Sequence, residues 1–149
     1  MYKPFDLTGK VALITGGNGG IGLGMAEALA QAGSDVVIWG TNAEKNDAAV
    51  KRLASHGRRA VARKVNVASE TEVVDAMGAT LKEMGRLDTV IANAGVGGGA
   101  PSFSQMSLEV WRRVHAVNEE GVFVRKLQDE LFTSRAVIII DLHRVSRET

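Results

Sequence analysis

The chain alternates short, predominantly apolar runs with longer segments in which apolar residues recur at helical spacing. The runs are Lys10–Ile14, Asp35–Trp39 (D-V-V-I-W), Ala60–Val65, Leu87–Ile91 and Ala136–Ile140 (A-V-I-I-I). Apolar residues that follow one another without alternation predict strands of a parallel sheet covered on both faces. Between the runs, four segments predict helices. The first spans Ile21–Gln31, with Met25, Ala28, Leu29 and Ala32 in register and Gly33 as its stop. The second starts at Asn42 as cap and runs through Ala48, Val50, Leu53 and Ala54 to Gly57. The third opens on Ser69 and Glu72 as a capping box, continues through Val73, Val74, Met77 and Leu81, and stops at Gly85. After the loop Gly97–Pro101, a long helix starts at Ser107 and carries Val110, Trp111, Val114, Val117 and Val122. The order β-α-β-α-β-α-β-α-β predicts an α/β fold, a parallel sheet between two layers of helices. Ligands of such folds bind outside the carboxyl ends of the strands.

Composition narrows this picture in few places. The 149 residues suit a single domain, 1–149, with a sizeable core. A formal net charge of +1 gives no field to gather nucleic acid or an anionic membrane. The cluster Arg58, Arg59, Arg63 and Lys64 reads as a solvated strand edge and turn. There is no cysteine, hence no disulfide or thiolate metal site, which fits a cytoplasmic protein. His56, His115 and His143 lack metal-ligand spacing, so no metal is expected. No apolar run approaches the roughly 20 residues of a membrane span, and Met1–Gly9 has no apolar core of a signal peptide.

The candidate chemistry lies in Lys10–Gly24, K-V-A-L-I-T-G-G-N-G-G-I-G-L-G. Gly17, Gly19 and Gly22 satisfy G-x-G-x-x-G; Gly16, Gly20 and Gly22, led by Thr15, satisfy T-G-x-x-x-G-I-G. Either spacing serves one purpose. A diphosphate lies against backbone N–H groups at a helix N-terminus, where a Cβ would hold it off. The stretch follows a predicted strand and opens a predicted helix, the context such a motif needs. No G-x-S-x-G elbow exists for hydrolase chemistry.

Thr15–Gly22, Asn93–Gly95 (N-A-G) and Val117–Phe123 (V-N-E-E-G-V-F) stand in order along the chain, supported by Leu87–Gly95 and by Trp111–Asn118 (W-R-R-V-H-A-V-N). As a set they resemble the short-chain dehydrogenase/reductases, in the flavour of the 3-oxoacyl-carrier-protein reductases and sugar-acid dehydrogenases. The resemblance covers Phe5 to about Phe123. It implies a Rossmann-like, doubly wound sheet and an oxidoreductase moving hydride between NADP or NAD and a carbonyl or secondary alcohol. It places Gly16, Asn18, Gly19, Gly20, Ile21 and Gly22 on the cofactor diphosphate. Gly40, Thr41 and Asn42 fall at the adenosine end, and Asn66 and Val67 at the adenine, Asn66 standing where the family usually has an aspartate. Asn93, Ala94 and Gly95 would line the ribose, and Asn118 matches the family's active-site asparagine.

An acid at the end of strand two, about 20 residues past the glycines, would hold the ribose 2′-hydroxyl of NAD. That end reads Trp39-Gly40-Thr41-Asn42. Without a carboxylate, Thr41, Asn42 and Lys45 are available to a 2′-phosphate, which leans the reading to NADP. Trp39 reads equally as core and as adenosine contact.

The family's chemistry also needs a tyrosine general acid/base with a lysine four residues on, because an unperturbed phenol, pKa about 10, is a poor base at neutral pH. The one tyrosine, Tyr2, is followed four residues later by Asp6. Ser146, near the expected serine, sits in R-V-S-R. From about Arg125 the tail departs from the family pattern. The expectation is therefore a chain that lacks the family's last strands and helices, through truncation, frame change or fragmentation, and is catalytically incomplete. The alternative is a non-catalytic dinucleotide-binding module. An apolar strand five left at a sheet edge, or the long helix, further predicts a homo-oligomer.

Overall fold

The structure is a computed structural model; it describes residues 5–123 and the backbone of 137–140. Tyr2, Ser146 and the departing tail other than 137–140 lie outside the described residues. The strands are β1 (Val11–Thr15), β2 (Asp35–Gly40), β3 (Ala60–Lys64), β4 (Thr89–Ala92) and β5 (Val137–Ile140). The principal helices are α1 (Gly20–Gln31), α2 (Ala43–Ala54), α3 (Glu70–Met84) and α4 (Leu108–His115). All strand pairings are parallel, in the order β3-β2-β1-β4-β5. The chain winds outward from β1 to β3, then crosses back to place β4 on β1's other side, so the direction of winding reverses between β1 and β4. The register pairs Thr15 with both Trp39 and Ala92, which brings the carboxyl ends of three strands level.

Every residue of β1 is buried, and the sheet divides the core in two. On one face Val11, Leu13, Val37, Trp39, Val65, Val73, Met77 and Val90 pack together under α3. On the other, Ala12, Ile14, Val36, Ile38 and Ile91 meet Ala26, Ala30, Ala49 and Leu53 of α1 and α2. Burying each Val, Leu or Ile side chain is worth about 1.5–3 kcal/mol, the main force holding these layers. The buried stripe of α1 is Gly22, Ala26 and Ala30, small residues one turn apart, so its backbone sits close to the sheet.

Two local expectations change. Ser69 accepts from the Glu72 N–H, but the Glu72 carboxylate turns away from its box partner and accepts the Asn66 N–H at 2.8 Å. The predicted long helix keeps its start at Ser107, whose hydroxyl accepts the Val110 N–H. It does not run unbroken: Ala116–Glu120 forms a π-helical turn, followed by one helical turn over Gly121–Phe123. Within the cationic cluster, Arg58 pairs with Asp35, and Arg59 and Arg63 both pair with Glu83, while Lys64 is exposed.

The amino ends of β1 and β4 are clipped by Asp88. Its carboxylate accepts the Val11 N–H at 2.9 Å and meets Arg86 and Lys10, while its own N–H donates to the Val11 carbonyl. Burial pushes the Asp88 carboxyl up, but the hydrogen bonds from Arg86, Val11 and Lys10 outweigh it and hold the group below the usual carboxylate range. A depressed folded pKa contributes stability above the unfolded value of about 3.9, and that contribution is lost as pH falls through the folded one. Asp88→Ala should lower stability at neutral pH by about 1–3 kcal/mol, because a buried N–H loses its acceptor. The gap between the two proteins in denaturant titrations should close as pH drops below about 4; a constant gap would contradict this assignment.

Candidate dinucleotide site

At the winding reversal the carboxyl end of β1 meets the start of the segment after β4. The Thr15 hydroxyl oxygen accepts two N–H groups, from Asn93 at 3.0 Å and Ala94 at 2.9 Å. The Asn93 amide returns bonds to the carbonyls of Thr15, at 3.0 Å, and Gly16, at 3.4 Å. Gly16 takes φ +65 here, and its N–H donates to the Trp39 carbonyl at 2.7 Å, joining the turn to β2 as well. Gly22, one turn into α1, packs so tightly that a Cβ would come within 3.0 Å of the Gly16 carbonyl and the Asn93 amide. Gly19 is the opposite case: it has extended backbone, and a Cβ there would meet nothing within 4 Å.

The helix start differs from its counterparts. α2, α3 and α4 each have a side-chain cap, Asn42, Ser69 and Ser107, and an acid in the first turn. α1 has Gly19 at its cap position, no side-chain acceptor and no first-turn acid. Its first intrahelical bond runs from the Leu23 N–H to the Gly19 carbonyl, so the N–H groups before Leu23 in the first turn lack helical partners. The site thus presents donors and the positive end of a helix dipole.

In front of these donors lies a crevice of about 290 Å³. Gly16, Asn18, Gly19 and Gly20 form one wall, Trp39, Thr41 and Lys45 the β2 side, and Asn66, Val67, Asn93, Ala94 and Gly95 the floor and far side. Those sequence-derived residues are therefore brought together. Others stand behind or beside the crevice. Gly22 supports the turn, Asn42 caps α2 through the Lys45 N–H, Ile21 is exposed on α1, and Gly40 is buried at the end of β2. Trp39 is 1% exposed within the core and also lines the crevice. Among the described residues, Lys45 is the only charged one that lines the crevice, and none that lines it is a carboxylate.

Asn118 sits within the π turn rather than on a regular helix. Its side chain accepts the Val96 N–H at 2.9 Å and donates to the Val96 carbonyl at 3.1 Å, pinning the segment after β4 against the helix. Insertion of one residue into a helical turn is a device that recurs at functional sites. Val65, Val96 and Val117 also line the crevice; none was given a site role from the sequence, where nothing marks Val65 or Val96 apart from other valines. Among the described residues, no group of three His, Cys, Asp or Glu side chains is placed to hold a metal, and no helix is long and apolar enough to cross a membrane.

Comparison with known proteins bears on this geometry. The family model for the short chain dehydrogenases matches residues 10–139. The chain belongs to the short-chain dehydrogenase family. Among curated relatives, the sorbose reductase of Schizosaccharomyces pombe is 35% identical over 125 residues, covering 83% of this chain and 49% of that protein. The gluconate 5-dehydrogenase of Gluconobacter oxydans is 36% identical over 119 residues, covering 80% and 46%. Thus this short-chain dehydrogenase chain spans about half the length of the curated relatives it matches. Among solved structures, NAD+-bound xylitol dehydrogenase superposes with a TM-score of 0.86 at 26% identity, covering 90% of this chain and 53% of the other. NADPH-dependent 3-quinuclidinone reductase from Rhodotorula rubra does so with 0.81 at 32%, covering 93% and 53%. The Rossmann-like sheet expected from the resemblance is thereby shown.

The two kinds of glycine are separable by substitution. Gly22→Ala should cost about 1–3 kcal/mol in thermal or denaturant unfolding, because backbone must move. Gly19→Ala should change stability by no more than about 0.5 kcal/mol. Equal costs would contradict the contacts described.

Proposed function

We propose that this chain binds a nicotinamide dinucleotide in the crevice at the carboxyl ends of β1, β2 and β4, and serves hydride transfer between that cofactor and a carbonyl or secondary alcohol. The observation that carries the reading is the bare start of α1. In α2, α3 and α4 a cap side chain accepts one first-turn N–H and an acid stands in the first turn; α1 has neither, beside glycines, at the reversal of the sheet. That arrangement suits a diphosphate. Two superposing proteins bear names that specify NAD+ or NADPH, which supports the same class of ligand.

When bound, the cofactor supplies the hydride; the chain supplies position and field. The glycine turn and first-turn amides hold the diphosphate. Asn66, Val67 and Trp39 frame the adenosine side, Asn93 to Gly95 the ribose, and Asn118 fixes the segment that closes the crevice at Val96. Lys45 and Thr41 stand where the β2 side of the crevice meets solvent, so NADP is the form we favour. A second reading, binding without turnover by this chain itself, is favoured by the sequence: these 149 residues hold one tyrosine and no Tyr-x-x-x-Lys pair. A cytoplasmic setting, and self-association in which the sheet edge at β5 or the long helix forms the contact, complete the proposal.

Titration with NADPH and NADH, followed by tryptophan emission and calorimetry, tests the reading. NADPH should bind more tightly, and Lys45→Ala should weaken NADPH by about tenfold while leaving NADH nearly unchanged. Tighter NADH binding would reverse the cofactor preference. Turnover of generic carbonyls with NADPH, abolished by Asn118→Ala, would favour the catalytic reading; binding without turnover favours the second. Sedimentation should show a concentration-dependent assembly, and a monomer at every concentration would remove that element.

A further inference from the structure

A buried polar side chain lies behind the crevice, outside every role given so far. Asn46 is 3% exposed, one turn into α2, on the stripe that also buries Ala49 and Leu53. Both ends of its amide are used. The Nδ2 group donates to the carbonyls of Gly40, at 3.0 Å, and Arg63, at 3.2 Å, tying the ends of β2 and β3. The Oδ1 atom accepts from Asn18 Nδ2 at 2.7 Å, reaching the glycine turn. Those two carbonyls fix which way the amide faces, because only an N–H donates to them. Its oxygen is therefore held toward Asn18.

This bracket fills one particular space. Side chains alternate along a strand, and Trp39 points into the α3 side of the core. A side chain at position 40 would point the other way, toward the glycine turn. There its Cβ would come within 3.0 Å of both Asn18 Nδ2 and Asn46 Oδ1. Position 40 ends β2, 20 residues after Gly20, the place from which an acid grips a ribose 2′-hydroxyl in dinucleotide folds. The space such an acid would need is thus occupied, by amide groups held in place from behind.

We infer that Asn46 is a positioning residue for cofactor selectivity: by holding Asn18 across the end of β2 it excludes a carboxylate at position 40 and leaves Lys45 as the charge the 2′ position meets. The inference rests on the reading that the crevice takes a nicotinamide dinucleotide. It differs from a simple lack of an acid, because it makes the effect of adding one depend on residues 18 and 46. Introducing an acid into an otherwise unaltered chain forces it out of place. Shortening Asn46 removes the oxygen and frees Asn18 to turn aside, so the acid then fits.

The test is a cycle of the full chain with Gly40→Asp, Asn46→Ser and both together, with dissociation constants for NADPH and NADH measured by calorimetry. Gly40→Asp alone should lose NADPH affinity and gain little for NADH; the double variant should bind NADH at least about tenfold tighter than Gly40→Asp. Asn18→Ala, which removes a half-buried side chain, replaces Asn46→Ser in the same comparison if the latter fails to fold. A ligand-free readout accompanies it: Gly40→Ala should lower the melting temperature more in the unaltered chain than in the Asn46→Ser background. A Gly40→Asp chain that prefers NADH as strongly as the double variant, or equal melting losses in both backgrounds, would overturn the inference. Failure of the folded, unaltered chain to bind either dinucleotide would instead bring down the site reading, and the inference with it.

Discussion

The structure turns on the meeting of β1 with the segment after β4, where one hydroxyl, one amide and two glycines share a space with no room for a further carbon. Thr15 gives its oxygen to two N–H groups of Asn93 and Ala94, Asn93 closes the bond back onto Thr15 and Gly16, and Gly22 lets α1 settle against both. Each bond alone is worth about 0.5–1.5 kcal/mol net. Their combined effect is geometric. They hold the first turn of α1 close to the strand ends, where Gly19 and Gly20 line the crevice. The parallel register that levels Thr15, Trp39 and Ala92 sets the stage, and the apolar layers on both faces keep the register from slipping.

Polar side chains that close the backbone around this point divide into two sets by burial. Thr15 and Asn46 are almost wholly buried and have every described bond directed at the ends of strands or the glycine turn. Asn118 and Glu72 lie nearer solvent and fix the segments after β4 and β3, through Val96 and Asn66. All four act on main-chain groups, and Asn46 also accepts from the Asn18 side-chain amide. The crevice is thus shaped chiefly by backbone held in place from outside, which suits a ligand gripped through its phosphates and sugars rather than through charged side chains.

Much of this was legible in the sequence. The strands showed as predominantly apolar runs because both faces of a parallel sheet are covered, and Asn42, Ser69 and Ser107 marked helix starts by the chemistry of capping. The glycine stretch marked the turn between β1 and α1. What stayed hidden has physical reasons. A π turn adds a residue without disturbing the spacing of Val110, Val114 and Val117, so nothing in the pattern shows it. Glu72 had a local partner three residues back and an equally reachable one at Asn66, and only the folded loop decides between them. Asn46 did leave a trace: it is a polar residue on the stripe with Ala49 and Leu53, and a buried amide on an apolar face needs partners. Its partners lie on β2, on β3 and in the glycine turn, which no local pattern connects.

The proposed binding depends on backbone N–H groups at the start of α1 meeting the phosphates of a dinucleotide. The most direct test follows each backbone amide by heteronuclear NMR as NADPH is added to the labelled chain. The amides from Asn18 to Gly22 should shift most, joined by those of Thr41, Asn66 and Ala94 to Val96 that line the same crevice. Saturable shifts confined elsewhere, such as the surface between β3 and α3, with the glycine amides unmoved, would contradict it.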